Sequence, residues 1–407
     1  MVEQIIMRSG TQSSNNLDFE SLIPTEGKSF SEQLHSCMEQ LSSFLSPEGG
    51  PRYYITQQTF FISAHNRKQY EKWSAQIREQ LISKFGVSLP AIGIVAQSPS
   101  PESKVVLELI CTRATEGKKV SYKTVTGLDY TVVEQDNYKI VHANGLRGET
   151  GDTIQESSEK AFKKANRILK EEGLTIQHII RQWNYVENIA RIEDLPDAQQ
   201  NYQIFNDVRT DHYNNGSFRY GYPAATGIGM HTGGVIIGFI ALSDSERISV
   251  KPIQNPRQMD AHQYSKNVLM GRSTGTSEKK GTPKFERGKM VSLGDSHHIY
   301  VSGTASIVGE KTMYPGDVVL QTDTTIKNII HLFSKENQEK LGLEFDPSRI
   351  LFSHLRVYVK HKEDIPVVKK ICESRLNCKS SLYLESDICR EELLVEIEGI
   401  FTLPARS

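Results

Sequence analysis

Tyr138-Lys-Ile-Val-His-Ala-Asn-Gly-Leu146 is an apolar strand that ends in a small polar residue and a glycine, and the pattern returns as His298-Ile-Tyr-Val-Ser-Gly-Thr304. The residues downstream repeat as well. Each copy continues through Gly-Asp (Gly151-Asp152; Gly316-Asp317), a glutamine (Gln155; Gln321) and an amphipathic helix. The first helix is expected over residues 157–172 with Ala161, Ala165, Ile168 and Leu169 inward. The second is expected over 322–333 with Ile326, Ile329, Ile330 and Phe333 inward. A strand comes next in each, 179–186 and 351–359, which sets Tyr185 opposite Tyr358 and Trp183 opposite Arg356. A second helix (near 199–212; near 365–376) and a closing pair of strands complete both copies. The fold class is therefore α+β, with two tandem units, each a mixed sheet carrying two helices on one face. The other face of each sheet needs cover, and the sister unit is there to supply it.

The last strand of the second copy lies in Asp387-Ile-Cys-Arg-Glu-Glu-Leu-Leu-Val-Glu-Ile-Glu-Gly-Ile-Phe401. With a period of two, Leu393, Val395, Ile397 and Phe401 form an apolar core face. Leu394, Glu396, Glu398 and Ile400 form the other, and its carboxylates stand about 7 Å apart along the strand. If a second unit covers that face, one glutamate becomes a buried acid that holds its proton near neutral pH. The matching strand of the first copy, 235–242, has no carboxylate, so only one composite site carries an acid.

The chain has 407 residues, more than one ordinary core accommodates. A polar segment, 1–50, is expected to be partly disordered. The first unit spans 51–245, with extra strands and a helix at its start, the linker 246–290, and the second unit 291–407. Within the linker a Gly/Ser/Thr/Lys tract, 271–284, reads as mobile. A net charge of -1 gives no reason to expect nucleic acid or an anionic membrane as partner. Five scattered cysteines without a CxxC pair suit a reducing compartment. Neither a secretory leader nor an apolar run of spanning length is expected, which points to the cytoplasm. His297 and His298 are adjacent on a strand and point to opposite faces, so they do not chelate one metal ion. Thr226-Gly-Ile-Gly lacks the context of a dinucleotide loop.

His298 to Gly309, Gly316-Asp317, Gln321, Thr325, Asn328 and Glu396-Ile-Glu398 resemble the YjgF/RidA family, whose sites lie between neighbouring subunits. A longer set of motifs resembles the chorismatases, from about residue 50 to the end. It comprises Gln97 near Pro99, Arg181-Gln-Trp-Asn-Tyr-Val-Glu-Asn-Ile189, Tyr222-Pro-Ala-Ala-Thr-Gly-Ile-Gly229, and Asn255-Pro-Arg-Gln258 with Ala261 and Tyr264. Pro283-Lys-Phe-Glu-Arg287 and Asp387-Ile-Cys-Arg390 complete it. That resemblance implies RidA-like units fused in one chain and a cofactor-free, cytoplasmic enzyme, monomeric because the neighbouring unit is in the chain. It also implies chorismate as substrate, pyruvate as one product, and either 3-hydroxybenzoate or a cyclohexadiene-diol acid as the other.

The resemblance gives Glu396 the role of acid toward the enolpyruvyl methylene, and it ties Cys389, seven residues earlier, to the 3-hydroxybenzoate outcome. Ala305 leaves the diol outcome open. A dianionic substrate calls for arginines, and Arg209 and Arg356 are the candidates, with Tyr213 one helical turn after Arg209. Asn184 and the Gly303 corner complete the expected substrate contacts, Gly303 because it allows close backbone approach. A RidA-like imine deaminase is the alternative enzyme. Against it, Leu384, Glu385 and Ser386 stand where that family's carboxylate-binding arginine is expected. A small-carboxylate binding protein is the alternative outside enzymes.

Overall fold

The computed structural model describes residues 17–45, 53–99, 103–192, 199–213, 217–265, 281–293, 296–343 and 351–403. Residues 119–242 build the first full unit: β5 (Lys119–Val125), β6 (Leu128–Gln135), β7 (Tyr138–Arg147), α3 (Ile154–Glu171), β8 (Ile179–Glu187), α4 (Asn201–Tyr213), β9 (Ala224–Met230) and β10 (Val235–Leu242). The second full unit begins with β11 (Ile248–Ile253), β12 (Gly288–Leu293) and β13 (Ser296–Ala305), then a short hairpin, β14 (Ile307–Val308) and β15 (Lys311–Thr312). It continues with α5 (Val318–His331), α6 (Lys335–Leu341), β16 (Phe352–Val359), α7 (Ile365–Arg375), β17 (Ser381–Glu385) and β18 (Val395–Leu403). The sheets have orders β5-β6-β7-β10-β8-β9 and β11-β12-β13-β18-β16-β17, the same topology twice. The repeat and its elements stand where the sequence places them.

Two boundaries differ from expectation. The expected linker, 246–290, contains β11 and β12, which form the outer edge of the second sheet. Its tract 271–284 lies, up to residue 280, outside the described residues; Gly281 returns to α4, donating its amide to Asp207 Oδ1 at 2.7 Å. The polar first segment, 1–50, is ordered over much of its length, although residues 1–16 and 46–50 lie outside the described residues. It carries β1 (Asp18–Leu22) and α1 (Phe30–Leu45), whose Phe30, Leu34, Cys37, Met38 and Leu41 recur at helical spacing and are buried. Ser and Gln along the helix, Gln33 and Ser36 of the buried face among them, hid that stripe.

With β2 (Tyr53–Ile62), α2 (Arg67–Phe85), β3 (Ala91–Val95) and β4 (Val105–Arg113), these elements form a sheet of order β1-β4-β2-β3. Strand by strand this equals the inner part of each full unit: β1 corresponds to β7 and β13, β4 to β10 and β18, β2 to β8 and β16, and β3 to β9 and β17. In all three the strands on either side of the last helix, β2 and β3, β8 and β9, β16 and β17, pair in parallel. The two full units are therefore accompanied by a third, shortened by its two outer strands.

Local chemistry explains the helix starts. Thr153 and Glu156 form a reciprocal capping box at α3, and Asp317 caps α5 by accepting the Leu320 amide. One face of each full sheet packs on its own helices, giving separate cores around Phe162 and Phe205 and around Ile329 and Phe333. The other faces of all three sheets meet in one central core containing Phe61, Trp183, Tyr185, Tyr358 and Ile400. The ends of β3, β9 and β17 close a ring there. Gly229 N donates to Asp387 O at 2.8 Å, Glu385 N to Ser98 O at 2.8 Å, and His231 N to Ala96 O at 2.9 Å. Among the described residues no helix is long and apolar enough to cross a membrane.

Candidate active site

The first and second full units meet where β9 runs beside β13. Strand β13 bulges at Ser302-Gly303: it advances three residues, Val301 to Thr304, while β18 advances two, Gly399 to Ile397. The bulge ties the units together. Ser302 Oγ donates to Glu286 O at 2.6 Å and accepts the Ala225 amide at 2.9 Å, and Gly303 N donates to Thr226 Oγ1 at 3.1 Å. Glu396 pairs with Ala305 across the ladder, so its carboxyl lies over the bulge. A Cβ on Gly303 would stand 2.1 Å from Glu396 Oε1, and so glycine is required for the acid to lie there.

Glu396 borders a cavity that lies between the two full units and opens toward solvent. Its first wall is Tyr202, Gln203 and Asn206 of α4 with Ala225 and Gly227 of β9. The facing wall is Gly303, Ala305, Ile307 and Glu396. Connecting segments supply Tyr264, Phe285, Arg287, Cys389 and Arg390. Two guanidiniums lie near the Tyr264 ring, Arg287 at 5.6 Å and Arg390 at 5.4 Å from its centre. Arg287 donates to Tyr264 Oη at 2.8 Å and to Met259 O, and its buried Nε has no partner among the described residues. Arg390 Nη1 donates to Glu310 O at 2.8 Å. Two guanidinium charges thus line the cavity, as a dianion requires.

The two carboxyls of β18 are in opposite states. Burial first, and then the Glu398 charge, push Glu396 up to about 8 despite Arg181 and Arg287. No group among the described residues hydrogen-bonds its side chain, which leaves the proton free to be given away. Burial pushes Glu398 up too, but Arg181 and Arg356 outweigh it and hold this carboxyl below its usual range. Glu398 accepts from Trp183 Nε1 at 2.9 Å, Arg181 Nη2 at 2.5 Å and Arg356 Nη1 at 3.0 Å, and from the Thr226 hydroxyl. Burial, with the nearby Glu396, pushes the Cys389 thiol up to about 12, so it stands in the wall as a neutral group rather than a thiolate.

Of the residues expected from the sequence, Glu396, Cys389, Gly303 and Ala305 border this cavity. Four do not. Arg356 faces the central core, and its guanidinium is occupied by Glu108, Tyr185 and Glu398. Asn184 lies on the helix side of its sheet, where its amide donates to Thr226 O at 3.0 Å. Tyr213 is on that side too, its hydroxyl given to Gln182 Oε1 at 2.8 Å. Arg209 is buried over the Phe205 ring at 5.2 Å and donates to Asn206. Position along α4 explains these last two: Tyr202 and Asn206 lie in its first turns beside the cavity, and Arg209 and Tyr213 lie farther along the same stripe, beyond it. Sequence reasoning did not single out Arg287, Arg390 and Tyr264 as site residues, although each stands inside a motif that carried the resemblance. Among the described residues no group of His, Cys, Asp and Glu is arranged to hold a metal ion.

Comparison with known proteins bears on this geometry. The family described as "Chorismatase FkbO/Hyg5-like, N-terminal" matches residues 116–241. A chorismatase of Streptomyces rapamycinicus is 35% identical over 54% of this chain and 63% of its own length. A chorismatase of Streptomyces hygroscopicus is 30% identical, the match covering 62% of this chain and 69% of the relative. A 3-hydroxybenzoate synthase of the same species is 30% identical over 60% of this chain and 69% of its own length. The crystal structure of a chorismatase superposes with a TM-score of 0.67 and 21% identity, covering 95% of this chain and 98% of that one, which shows a common fold.

Proposed function

The chain belongs to the chorismatase family, and on that premise we propose that it converts chorismate to 3-hydroxybenzoate and pyruvate, with Glu396 as the acid. One observation carries the reading: a protonated carboxyl without a hydrogen-bond partner among the described residues faces a cavity that two arginines line. Arg287 and Arg390 hold the two substrate carboxylates. Glu396 gives its proton to the enolpyruvyl methylene, which becomes a methyl group and leaves an oxocarbenium carbon beside the ether oxygen. The substrate's own C4 hydroxyl captures that carbon. Loss of the C3 hydrogen as a proton then aromatises the ring and breaks the C4–O bond. The bond between the captured carbon and the C3 oxygen breaks next, so pyruvate leaves with the former C4 oxygen, and the C3 oxygen takes up the proton that the C4 hydroxyl gave up on capture. The atoms of chorismate equal those of the two products, so no water is consumed, and the proton lost at C3 restores Glu396.

Cys389 supports this route because a neutral, half-buried thiol beside the acid fills space that water would otherwise use. Capture by water is the alternative and gives the diene-diol acid instead; Ala305, a small wall residue, keeps that route open. Both walls of the cavity come from one chain, so a monomer suffices. The five cysteines are unpaired, which accords with a cytoplasmic setting. Incubation of the purified protein with chorismate tests the proposal. Pyruvate is followed with lactate dehydrogenase, and the ring product is identified by mass spectrometry and NMR. Equal amounts of pyruvate and 3-hydroxybenzoate are expected. A diol would reverse the product assignment, and absence of pyruvate would overturn the reaction. A binding protein would hold chorismate without turnover whether residue 396 is Glu or Gln.

A further inference from the structure

Behind Glu396 runs a line of buried charges that never reaches the cavity. It begins on the shortened N-terminal unit, where Glu108 of β4 accepts Arg356 Nε at 2.8 Å and a second bond from Arg356 Nη2. His354 Nε2 lies 2.6 Å from its Oε2. Arg356 then reaches Glu398 at 3.0 Å, and Glu398 reaches Arg181 at 2.5 Å. Two carboxylates and two guanidiniums alternate, so the Glu and Arg charges of the line cancel. An ion line this deep is a doubtful gain for stability, since hydrophobic replacements of such pairs are often no worse. Its position suggests another use. Glu398 sits two residues from Glu396 on one strand face, and no cation of the line is left over to neutralise a second carboxylate there.

We propose that Glu108 is a positioning residue for the acid: it holds Arg356 against Glu398, which stays a carboxylate and thereby keeps the proton on Glu396. The proposal rests on Glu396 being the acid of the proposed reaction. Around Glu396 stand Glu398 and Tyr358 from its own sheet, Arg181 and Tyr202 from the first full unit, and Arg287, Cys389 and Arg390 from the connecting segments. Of these only Glu398 and the arginines carry charge near neutral pH, and Glu398 is the group that Glu108 reaches. The N-terminal unit thus acts on a reaction whose cavity it does not line.

The test is a pH titration of the ligand-free protein by difference infrared spectroscopy. The carboxylic-acid band of Glu396 is assigned by its loss in Glu396→Gln. Removing one charge of the line leaves the opposite charge uncompensated. Glu108→Gln is expected to lower the Glu396 midpoint by about one pH unit, and Arg356→Met to raise it by a similar amount. The double variant, whose line is neutral again, is expected within about half a unit of the parent. A loosened core would move both single variants in the same direction, so equal signs, or no shift in Glu108→Gln, would overturn the proposal. Should Glu108→Gln not fold, Arg356→Met decides alone: a rise supports the proposal and a fall refutes it. Pyruvate release by the parent is measured alongside. A parent that shows the titrating acid but no turnover refutes the reaction and leaves the role of Glu108 to the midpoints.

Discussion

Two interfaces of this molecule are built on corresponding strands of the repeat and have opposite contents. At the working one, Gly303 bulges from β13, Ala305 pairs with Glu396, and a cavity opens beside them. At the other, between the shortened unit and the first full unit, Gly145 bulges from β7 and Arg147 pairs with Ile236. Register makes Ile236 the counterpart of Glu396, and Arg147 that of Ala305. There Arg147 lies over Tyr70 at 5.3 Å and forks onto Glu71 at 2.9 and 3.1 Å. A Cβ on Gly145 would meet the Ile92 carbonyl oxygen at 2.2 Å, where the first interface has a carboxyl. One frame thus yields a site or a seam, according to whether small residues or large ones fill the corner.

Making the first interface resemble the second should cost most. Glu396→Gln removes the proton donor while keeping the shape, and kcat for pyruvate release should fall about 10²- to 10⁴-fold with little change in chorismate affinity. Affinity is read by calorimetry; a comparable loss of binding would mean that Glu396 holds substrate instead. The two glycines come next. Gly303→Ala pushes against the end of a flexible side chain, so it should displace the acid and lower kcat about 100-fold at near-parental stability. Gly145→Ala pushes against backbone at a positive φ of 67°, so it should cost about 2–4 kcal/mol of stability by denaturant unfolding. Its folded fraction should keep parental kcat.

The pH dependence separates the interfaces more finely. Glu396 acts protonated, so kcat should fall as pH rises through about 8, a limb that Ile236 has no means to produce. The same carboxyl binds its proton more tightly folded than unfolded. The stability it contributes is therefore present below its ordinary value of 4.5 and is lost as pH rises through about 8. Glu396→Gln should accordingly lose less stability than the parent between pH 5 and 9 (~4 units of titration range), as thermal unfolding will show. The smallest effect belongs to the seam's ion pair. Arg147 and Glu71 are about a third exposed, so Glu71→Gln should cost about 0.2–1 kcal/mol and leave turnover unchanged.

What the sequence revealed divides along the same physical lines. Alternation along a strand has a period of two, so the face of Glu396 and the neighbours Gly303 and Ala305 were readable without coordinates. Arg356 was read as a substrate arginine, yet Glu108, which takes its guanidinium, lies 248 residues away in sequence, in a unit that composition had disguised. Facing on a helix is harder to read. How far along α4 the cavity reaches depends on how the helix docks, and that placed Tyr202 and Asn206 of its first turns at the site rather than Arg209 and Tyr213 farther along the same stripe. Arg287 and Arg390 sit in irregular connections, where no periodicity points a side chain. Their signal was the motif around them.

The ring closed by β3, β9 and β17 has one more consequence. In an assembly of identical subunits every substitution appears at every interface, so nothing gained at one corner can be withheld from the others. Here the three corners are encoded separately. One can keep an unpaired acid and an open space, features that cost stability, while Arg147 with Glu71 and the Glu108 line knit the rest. Covalent continuity also makes the meeting of the two walls independent of dilution, because each finds its neighbour at an effective concentration set by the chain rather than by the solution.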